Sequence, residues 1–403
     1  MRILISAYAC EPGKGSEPEV GFQIALAAAA EHEVWLITRS NNLPAIEAFL
    51  ADHPLRDRVH LVGLDVGGFA KRLKKRGSPF TLHWYYDKWQ RRLSDVATSL
   101  DDEFDFDVVH HATFATYWTR TGIAAVNKPL VWGPVGGAVK PPLRLLPVMG
   151  FKGALSDLVR VSFRPVMARV SGSRRTARHA SVILAQNPET ASLLHDSGGV
   201  MVLPNALLAA KSIGSSETTS YRQDANPHPS LVMAGRLIGL KAPALALLAL
   251  AHIDHPSATL SIYGEGPQRD RLVRLAVRLG IEKRVQFHGA VPRAQLLAAI
   301  SSGSVLLHPA LHEEAGFVVA EALALGIPLI ALDRGGPPVV GRFWPLVPSR
   351  FITPSTPAQT ARQLALAIDE IIGQRVGADP SPAQLFQDRL ITAYARAAAE
   401  RAL

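Results

Sequence analysis

Between residues 231 and 332, short apolar runs and longer amphipathic ones follow each other without a break in the pattern. Strand-like runs fall at 231–234, 258–263, 284–287, 305–308 and 327–332, and helix-like runs at 242–253, 268–279, 293–301 and 317–325. Strands that are apolar throughout must be covered on both faces. A helix between each pair supplies the cover, so the pattern dictates a parallel sheet. The first half repeats the scheme: a strand at 2–7, a helix at 19–31, a strand at 33–38, then strands at 59–64, 107–110, 130–132, 182–185 and 200–203. The polar stretch 209–230, rich in Ser, Thr, Asn and Pro, reads as a linker. Near the end, 356–359 and 381–384 each place Thr or Ser before Pro with Gln at the third helical position, which marks two helix starts. The expectation is an α/β chain with two doubly wound, Rossmann-like domains facing a central cleft, at 1–207 and 208–380. A carboxy-terminal helix at 381–403 is expected to pack back on the first domain.

Composition narrows what such a chain does. Its 403 residues suit two or three domains, and 48% hydrophobic content excludes global disorder. The single cysteine, Cys10, allows neither an internal disulfide nor a cysteine-based metal cluster, so a reducing compartment, the cytoplasm, is expected. The opening apolar run is too short for a signal peptide, and the Leu/Ala stretch at 243–253 is too short to span a bilayer. A net charge of +9 favours anionic partners: phosphorylated ligands, an acidic membrane surface or nucleic acid. No recognition-helix, RNP-like or zinc-finger pattern supports nucleic acid.

In a doubly wound sheet, the loops after the strands' carboxyl ends line the ligand crevice. Glu313 falls on such a loop, and Glu321 lies just over one turn into the following helix. Gly316 at the helix start permits close backbone approach, free N–H groups there suit phosphate, and Gly326 closes the helix. Glu321 is suited to a ribose diol and Glu313 to sugar hydroxyls; the same pair also reads as a solvated acidic loop and an ordinary helical glutamate. The segment Gly235 to Lys241 follows the first strand of the second half, and its Arg236 and Lys241 suit a diphosphate, or form a basic loop on a basic protein. In the first half, Gly15 lies in the first strand-to-helix loop, which is neither GxGxxG nor a Walker A sequence and reads equally as a phosphate nest or a tight turn. His110 and His111 end a strand, as cleft or core histidines. Asp105-Phe106-Asp107 is a formal DxD, but it precedes its strand, on the side away from the crevice. With no HExxH or paired-cysteine pattern, no metal site is expected.

Taken together, these segments resemble the GT4 family of retaining glycosyltransferases with the GT-B fold. The resemblance is carried by Gly235-Arg236-Leu237 with Lys241, by Gly264-Glu265-Gly266-Pro267, by Val285 to Gly289, and above all by Glu313 to Pro328, similar to the family's E-x7-E block and G-x-P exit. The first half is similar to one subgroup at 6–18, 108–111 and 131–137, and Val202-Leu203-Pro204-Asn205 resembles the interdomain P-N-G segment. The resemblance implies that Arg236 and Lys241, after Gly235, bind the donor diphosphate and that Glu321 binds the ribose. It implies that Glu313 contacts the transferred sugar and that Gly316, Phe317 and Val318 line the phosphate or sugar. Gly15 would lie at the phosphate and acceptor end, and the family's donor-sugar histidine corresponds to His111 or His110. Asn205 would stand at the interdomain turn. Three departures are plain: Ala206 replaces the usual Gly, Glu19 stands where the subgroup more often has Gly, and 339–345 carries Arg and Trp where an acidic-apolar turn is usual, near the donor base or sugar.

The implied activity is metal-independent, retaining transfer of a sugar from a nucleotide-sugar donor to a glycan, lipid-linked or small-molecule acceptor, without a cofactor. The competing readings are a same-fold nucleotide-sugar epimerase and a non-catalytic nucleic-acid binder. Peripheral contact with the inner face of an anionic membrane is also expected. Five cations fall within 71–76, flanked by aromatics, and a second basic stretch at 160–178 mixes arginines with Val, Phe and Met.

Overall fold

Residues 1–67, 79–195, 199–212 and 228–400 are described by a computed structural model. They divide into two compact units, one of 1–138 with 163–205 and 384–403, the other of 139–162 with 206–383.

In the first unit, seven parallel strands form one sheet: β1 (Arg2–Ser6), β2 (Glu33–Thr38), β3 (Val59–Gly63), β4 (Val108–His111), β5 (Leu130–Val135), β6 (Val182–Ala185) and β7 (Val200–Val202). Their order is β3-β2-β1-β4-β5-β6-β7. The order reverses between β1 and β4, where Ser6 pairs with His111. Helix α1 (Ser16–Ala29) crosses from β1 to β2 and is buried almost all round, as its Ala-rich sequence allows. Helices α2 (Leu43–Leu50) and α3 (Pro79–Phe104) follow. Trp89 of α3 packs with Trp132, Tyr85 and Phe106 in the core, and its indole N–H donates to the Leu64 carbonyl at 2.8 Å.

Residues 139–162, which the sequence reading kept in the first half, group with the second unit. The reason is local. They hold a short helix α4 (Leu146–Met149) and the first part of α5 (Phe151–Val170). Leu145, Val148 and Met149 enter the same core as Leu237 and Leu245. Gln268 Nε2 donates to the Met149 carbonyl at 2.7 Å, and Arg271 donates to that of Val148 at 3.1 Å. Helices α6 (Ser173–His179) and α7 (Pro188–Leu193) return to the first unit.

The second unit's sheet holds β8 (Ser230–Ala234), β9 (Thr259–Tyr263), β10 (Val285–Gly289), β11 (Val305–His308), β12 (Leu329–Leu332) and β13 (Ser349–Ile352), all parallel, in the order β10-β9-β8-β11-β12-β13. It reverses between β8 and β11. Helices α8 (Pro243–Leu250), α9 (Arg269–Arg278), α10 (Arg293–Ser302), α11 (Phe317–Ala324), α12 (Gly336–Gly341) and α13 (Pro357–Ile371) alternate with the strands and follow them. The expected stop of α11 is present. Gly326 takes φ +71°, and Ile327 N–H reaches back to the Ala322 carbonyl at 2.9 Å, a left-handed closure open to glycine. Thr356 caps α13 through the Gln359 N–H. The last helix, α14 (Pro382–Glu400), belongs to the first unit from residue 384 on, and its Tyr394 is fully buried there. No helix of the described residues is long and apolar enough to cross a membrane.

Candidate active site

Each sheet has its own switch point, and the residues singled out from sequence gather at these two places except Asn205, which follows the edge strand β7. In the second unit, β8 and β11 are neighbours, so the loops leaving their carboxyl ends lie side by side. Lys241 comes from the first loop and Glu313 from the second, and they form an ion pair through Nζ and Oε2. His308, the last residue of β11, donates to the same carboxylate oxygen from Nε2 at 3.1 Å. The Gly316 N–H donates to the other, Oε1, at 3.3 Å. Burial alone would raise the Glu313 carboxyl; the Lys241 charge and the bonds from His308 and Lys241 outweigh it and hold the group far below the usual carboxylate range. Gly316 precedes α11 at φ +82°, a conformation that side-chain-bearing residues rarely adopt. It leaves the first-turn N–H groups of Phe317 and Val318 without intrahelical acceptors.

Glu321 lies on α11 and is 7% exposed. Arg293, at the start of α10, donates to its Oε1 from Nε at 2.9 Å and from Nη2 at 2.7 Å. Burial still raises the Glu321 carboxyl, and Arg293 offsets only part of that. Arg293 was not singled out from sequence. The available signal was a cation at a helix amino terminus, where the helix dipole disfavours it unless an anion is near. Arg236 is exposed, and its guanidinium makes no hydrogen bond or ion pair among the described residues. Gly235, at the carboxyl end of β8, is held by its N–H on the Tyr263 carbonyl at 2.9 Å. The structure therefore brings Lys241, Glu313 and Gly316 into contact, sets Glu321 on the same helix with its own cation, and leaves Arg236 available.

At the first unit's switch point, Gly15 precedes α1 and His111 ends β4. The two adjacent histidines differ. His110 Nε2 donates to the Gly133 carbonyl at 2.7 Å, and its Nδ1 accepts from the Tyr394 hydroxyl at 2.7 Å. Burial pushes it down to about 4, so it is a neutral core histidine. His111 Nε2 lies 3.3 Å from the Tyr86 hydroxyl, while Nδ1, though buried, has no partner among the described residues. Burial, with His110 beside it, pushes His111 down to about 3. Glu17, two residues past Gly15, belongs to the same segment and is tied back to the loop after β4. Its Oε1 accepts from the Phe114 N–H at 2.7 Å, and burial raises its carboxyl. Asn205 is 1% exposed with Oδ1 unpaired among the described residues, and the chain continues through Ala206 as a 3-10 helix, Asn205–Ser212.

The remaining segments named from sequence lie elsewhere. Asp107 Oδ2 accepts from the Arg2 N–H at 2.8 Å, and Asp105 pairs with Lys128. Both line a polar cavity of about 670 Å³ near the amino ends of β1 and β2, away from the loops that carry Gly15 and His111. In 339–345, Trp344 is 2% exposed and donates its indole N–H to the Asp379 carbonyl at 2.7 Å, so it is a core residue rather than a donor contact. Gly336 at the start of α12 does touch the site, donating its N–H to the Glu313 carbonyl at 3.0 Å. The basic cluster 71–76 lies outside the described residues.

Residues 221–375, which contain this second switch point, match the family described as Glycosyl transferases group 1. Among curated proteins, the chain is similar to a 2-deoxystreptamine N-acetyl-D-glucosaminyltransferase of Streptomyces fradiae, 26% identical over 357 residues and 83% of each chain. It is also similar to a D-inositol 3-phosphate glycosyltransferase of Streptomyces bingchenggensis, 34% identical over 161 residues, which cover 36% of this chain and only 34% of that protein. Among solved structures, Anabaena HepE in complex with UDP superposes with a TM-score of 0.54 at 17% identity, covering 100% of both chains. The lipopolysaccharide outer core galactosyltransferase WaaB does so with a TM-score of 0.56 at 13% identity, again over 100% of both. The chain thus carries a glycosyl transferases group 1 domain over residues 221–375 and is a glycosyltransferase of GT-B fold.

Proposed function

We propose that the chain is a retaining GT4 enzyme that moves a sugar from a nucleotide-sugar donor to a glycan, lipid-linked or small-molecule acceptor. The observation that carries this reading is the Lys241–Glu313 pair, which joins the two loops at the switch point inside the group 1 domain. In this reading, Arg236 and Lys241 hold the donor diphosphate, Arg236 with a planar fork and Lys241 as a point charge. Glu321, held by Arg293, accepts from the ribose hydroxyls. Glu313 and the Phe317 and Val318 N–H groups meet the sugar and the phosphates. The first unit brings Gly15, His111 and Asn205, which we assign to the acceptor end, the transferred sugar and the turn beside it.

The chemistry asks little of the protein beyond charge stabilisation. The anomeric carbon loses its bond to the diphosphate and gains one to the acceptor oxygen on the same face, while the acceptor's proton passes to the departing phosphate. Negative charge gathers on the diphosphate, where the two cations stabilise it without a divalent ion. HepE was solved with UDP, which supports a uridine nucleotide as the first donor to test.

A panel of UDP-, GDP- and ADP-sugars, read by thermal shift and then by NMR of the product, tests the reading. The cognate donor at 100 times Kd should stabilise the fold by about 2.7 kcal/mol. The product should keep the donor's anomeric configuration. If no sugar nucleotide stabilises the protein or is turned over, or if the product is inverted, the proposal fails.

A further inference from the structure

His111 is bonded through one ring nitrogen and not the other. Nε2 lies 3.3 Å from the Tyr86 hydroxyl, and Nδ1 is buried without a partner among the described residues. Burial keeps the imidazole neutral, so one nitrogen carries a proton and the other a lone pair. Which is which depends on the Tyr86 oxygen, because the bond made at one nitrogen fixes the tautomer at the other.

The Tyr86 side chain has little freedom. It is 3% exposed, meets the Tyr8 ring edge-on at 5.1 Å and lies beside the Phe114 ring at 5.5 Å. Gln90 follows one turn later on the same face of α3 and is fully buried. Its Oε1 accepts from the Gly122 N–H at 2.6 Å. A Cβ at Gly122 would stand 2.0 Å from the Gln90 carbonyl oxygen, so only glycine lets the two backbones come this close. With Oε1 so held, the amide turns Nε2 toward the Tyr86 hydroxyl, and Nε2 has no acceptor elsewhere among the described residues. The phenol oxygen thus faces a donor on one side and keeps its own proton for an acceptor. Two are in reach, His111 Nε2 at 3.3 Å and the Phe114 carbonyl at 3.5 Å. The imidazole is the nearer and the stronger base. Gly122, Gln90, Tyr86 and His111 all belong to the first unit.

We propose that Tyr86 is a positioning residue: it donates its phenol proton to Nε2 and holds His111 in the Nδ1–H tautomer, which offers a donor to a hydroxyl oxygen of the transferred sugar. This role rests on the reading of His111 as the histidine that meets that sugar. Tyr86 touches no substrate itself. It acts through the imidazole, and Gln90 acts behind it by orienting the phenol.

The test reads the tautomer and the rate separately. In the full-length chain with isotope-labelled histidine, long-range proton–nitrogen correlation spectra distinguish the two tautomers, and the His111 signals are those missing from His111→Ala. The wild type without nucleotide should show a protonated Nδ1 and a bare Nε2. Tyr86→Phe should move the ring toward the Nε2–H form, while circular dichroism matches the wild type. It should lower kcat/KM several-fold, and adding it to His111→Ala should cost nothing further, because the two residues act as one unit. A wild type with the proton on Nε2 overturns the proposal, and that result needs no variant to fold. A tautomer unchanged in Tyr86→Phe overturns it as well, as does a double variant in which the two losses add. An Nδ1–H tautomer that follows Tyr86 in a chain that transfers no sugar bears out the positioning and counts against the transfer reading alone.

Discussion

Lys241 and Glu313, 72 residues apart in sequence, form the ion pair that ties the loop after β8 to the loop after β11. Lys241→Ala removes the cation proposed for the diphosphate and also leaves a buried carboxylate with only His308 and one N–H. Transfer should fall on the order of 10²–10³-fold. Stability should fall by about 1–3 kcal/mol at neutral pH. The folded Glu313 is held below its ordinary value, so its contribution is present above about pH 4.3 and is lost as pH falls below that. The variant should therefore lose part of the acid-side slope of stability. Arg236→Ala, with no such partner, should lose transfer by a similar factor and keep its melting temperature. Turnover and urea unfolding on both variants separate the two roles, and normal turnover in both would remove the site assignment.

Arg293 acts on the nucleotide through Glu321 rather than by contact. With Arg293→Met, the buried Glu321 loses both hydrogen bonds and its carboxyl rises further, which makes the carboxylate harder to keep and the group a poorer acceptor for a diol. The expected result is a donor KM raised about tenfold with kcat changed far less, as when uniform binding is lost. The defect should ease as pH rises, because the carboxylate is regained. Arg293→Lys should recover part of the affinity through one of the two bonds. A pH-independent loss, or one confined to kcat, would show that Arg293 is not a positioning residue.

Chelation tests where the charge stabilisation comes from. With Arg236 and Lys241 supplying it, activity should survive excess EDTA unchanged. Asp105→Ala should leave turnover within about twofold, since the Asp105 side chain is exposed at a distance from both switch points and Lys128 keeps Asp101 as a partner. Activity abolished by chelator and restored by Mg²⁺ or Mn²⁺ would reverse this.

What the sequence made legible was what depends on period. The strands, apolar on both faces, and the helices between them could be read directly. So could the loops at the carboxyl ends, which is why Lys241, Glu313 and Glu321 were nominated without contacts. Their partners were not legible, because pairing across a sheet leaves no local trace. Arg293 lies 28 residues before the glutamate it binds. The placement of 139–162 was hidden for a related reason: an amphipathic helix shows that one face packs, not which sheet it packs on. Edge strand β13, half-buried and only 4 residues long, lacks the apolar run that marks the central strands. Trp344 looked like a ligand-facing departure because an indole suits a base as well as a core. Only its bond to the Asp379 carbonyl decides between them.

The adjacent histidines give the last prediction, because strand alternation separates their tasks. His110 faces the core with both ring nitrogens bonded, and His111 faces the other way with Nδ1 open. His110→Ala should cost about 1–3 kcal/mol of stability, since the Tyr394 hydroxyl and the Gly133 carbonyl are left buried and unpaired. His111→Ala should be milder for stability and lower kcat/KM by about tenfold through a lost sugar contact. Both imidazoles are depressed in the folded chain, to about 4 and about 3, and titrate near 6.5 when unfolded. Between those values the unfolded chain binds more protons than the folded one. Stability therefore rises with pH across the window and is lost as pH falls from about 6.5, at up to about 1.4 kcal/mol per pH unit for each histidine. Urea unfolding at pH 7.5, 6.0 and 5.0 reads this slope, and each single variant should flatten it below pH 6 relative to the wild type. A wild type whose stability is flat between pH 7 and 5 would mean that the folded chain takes up protons at these sites as readily as the unfolded one.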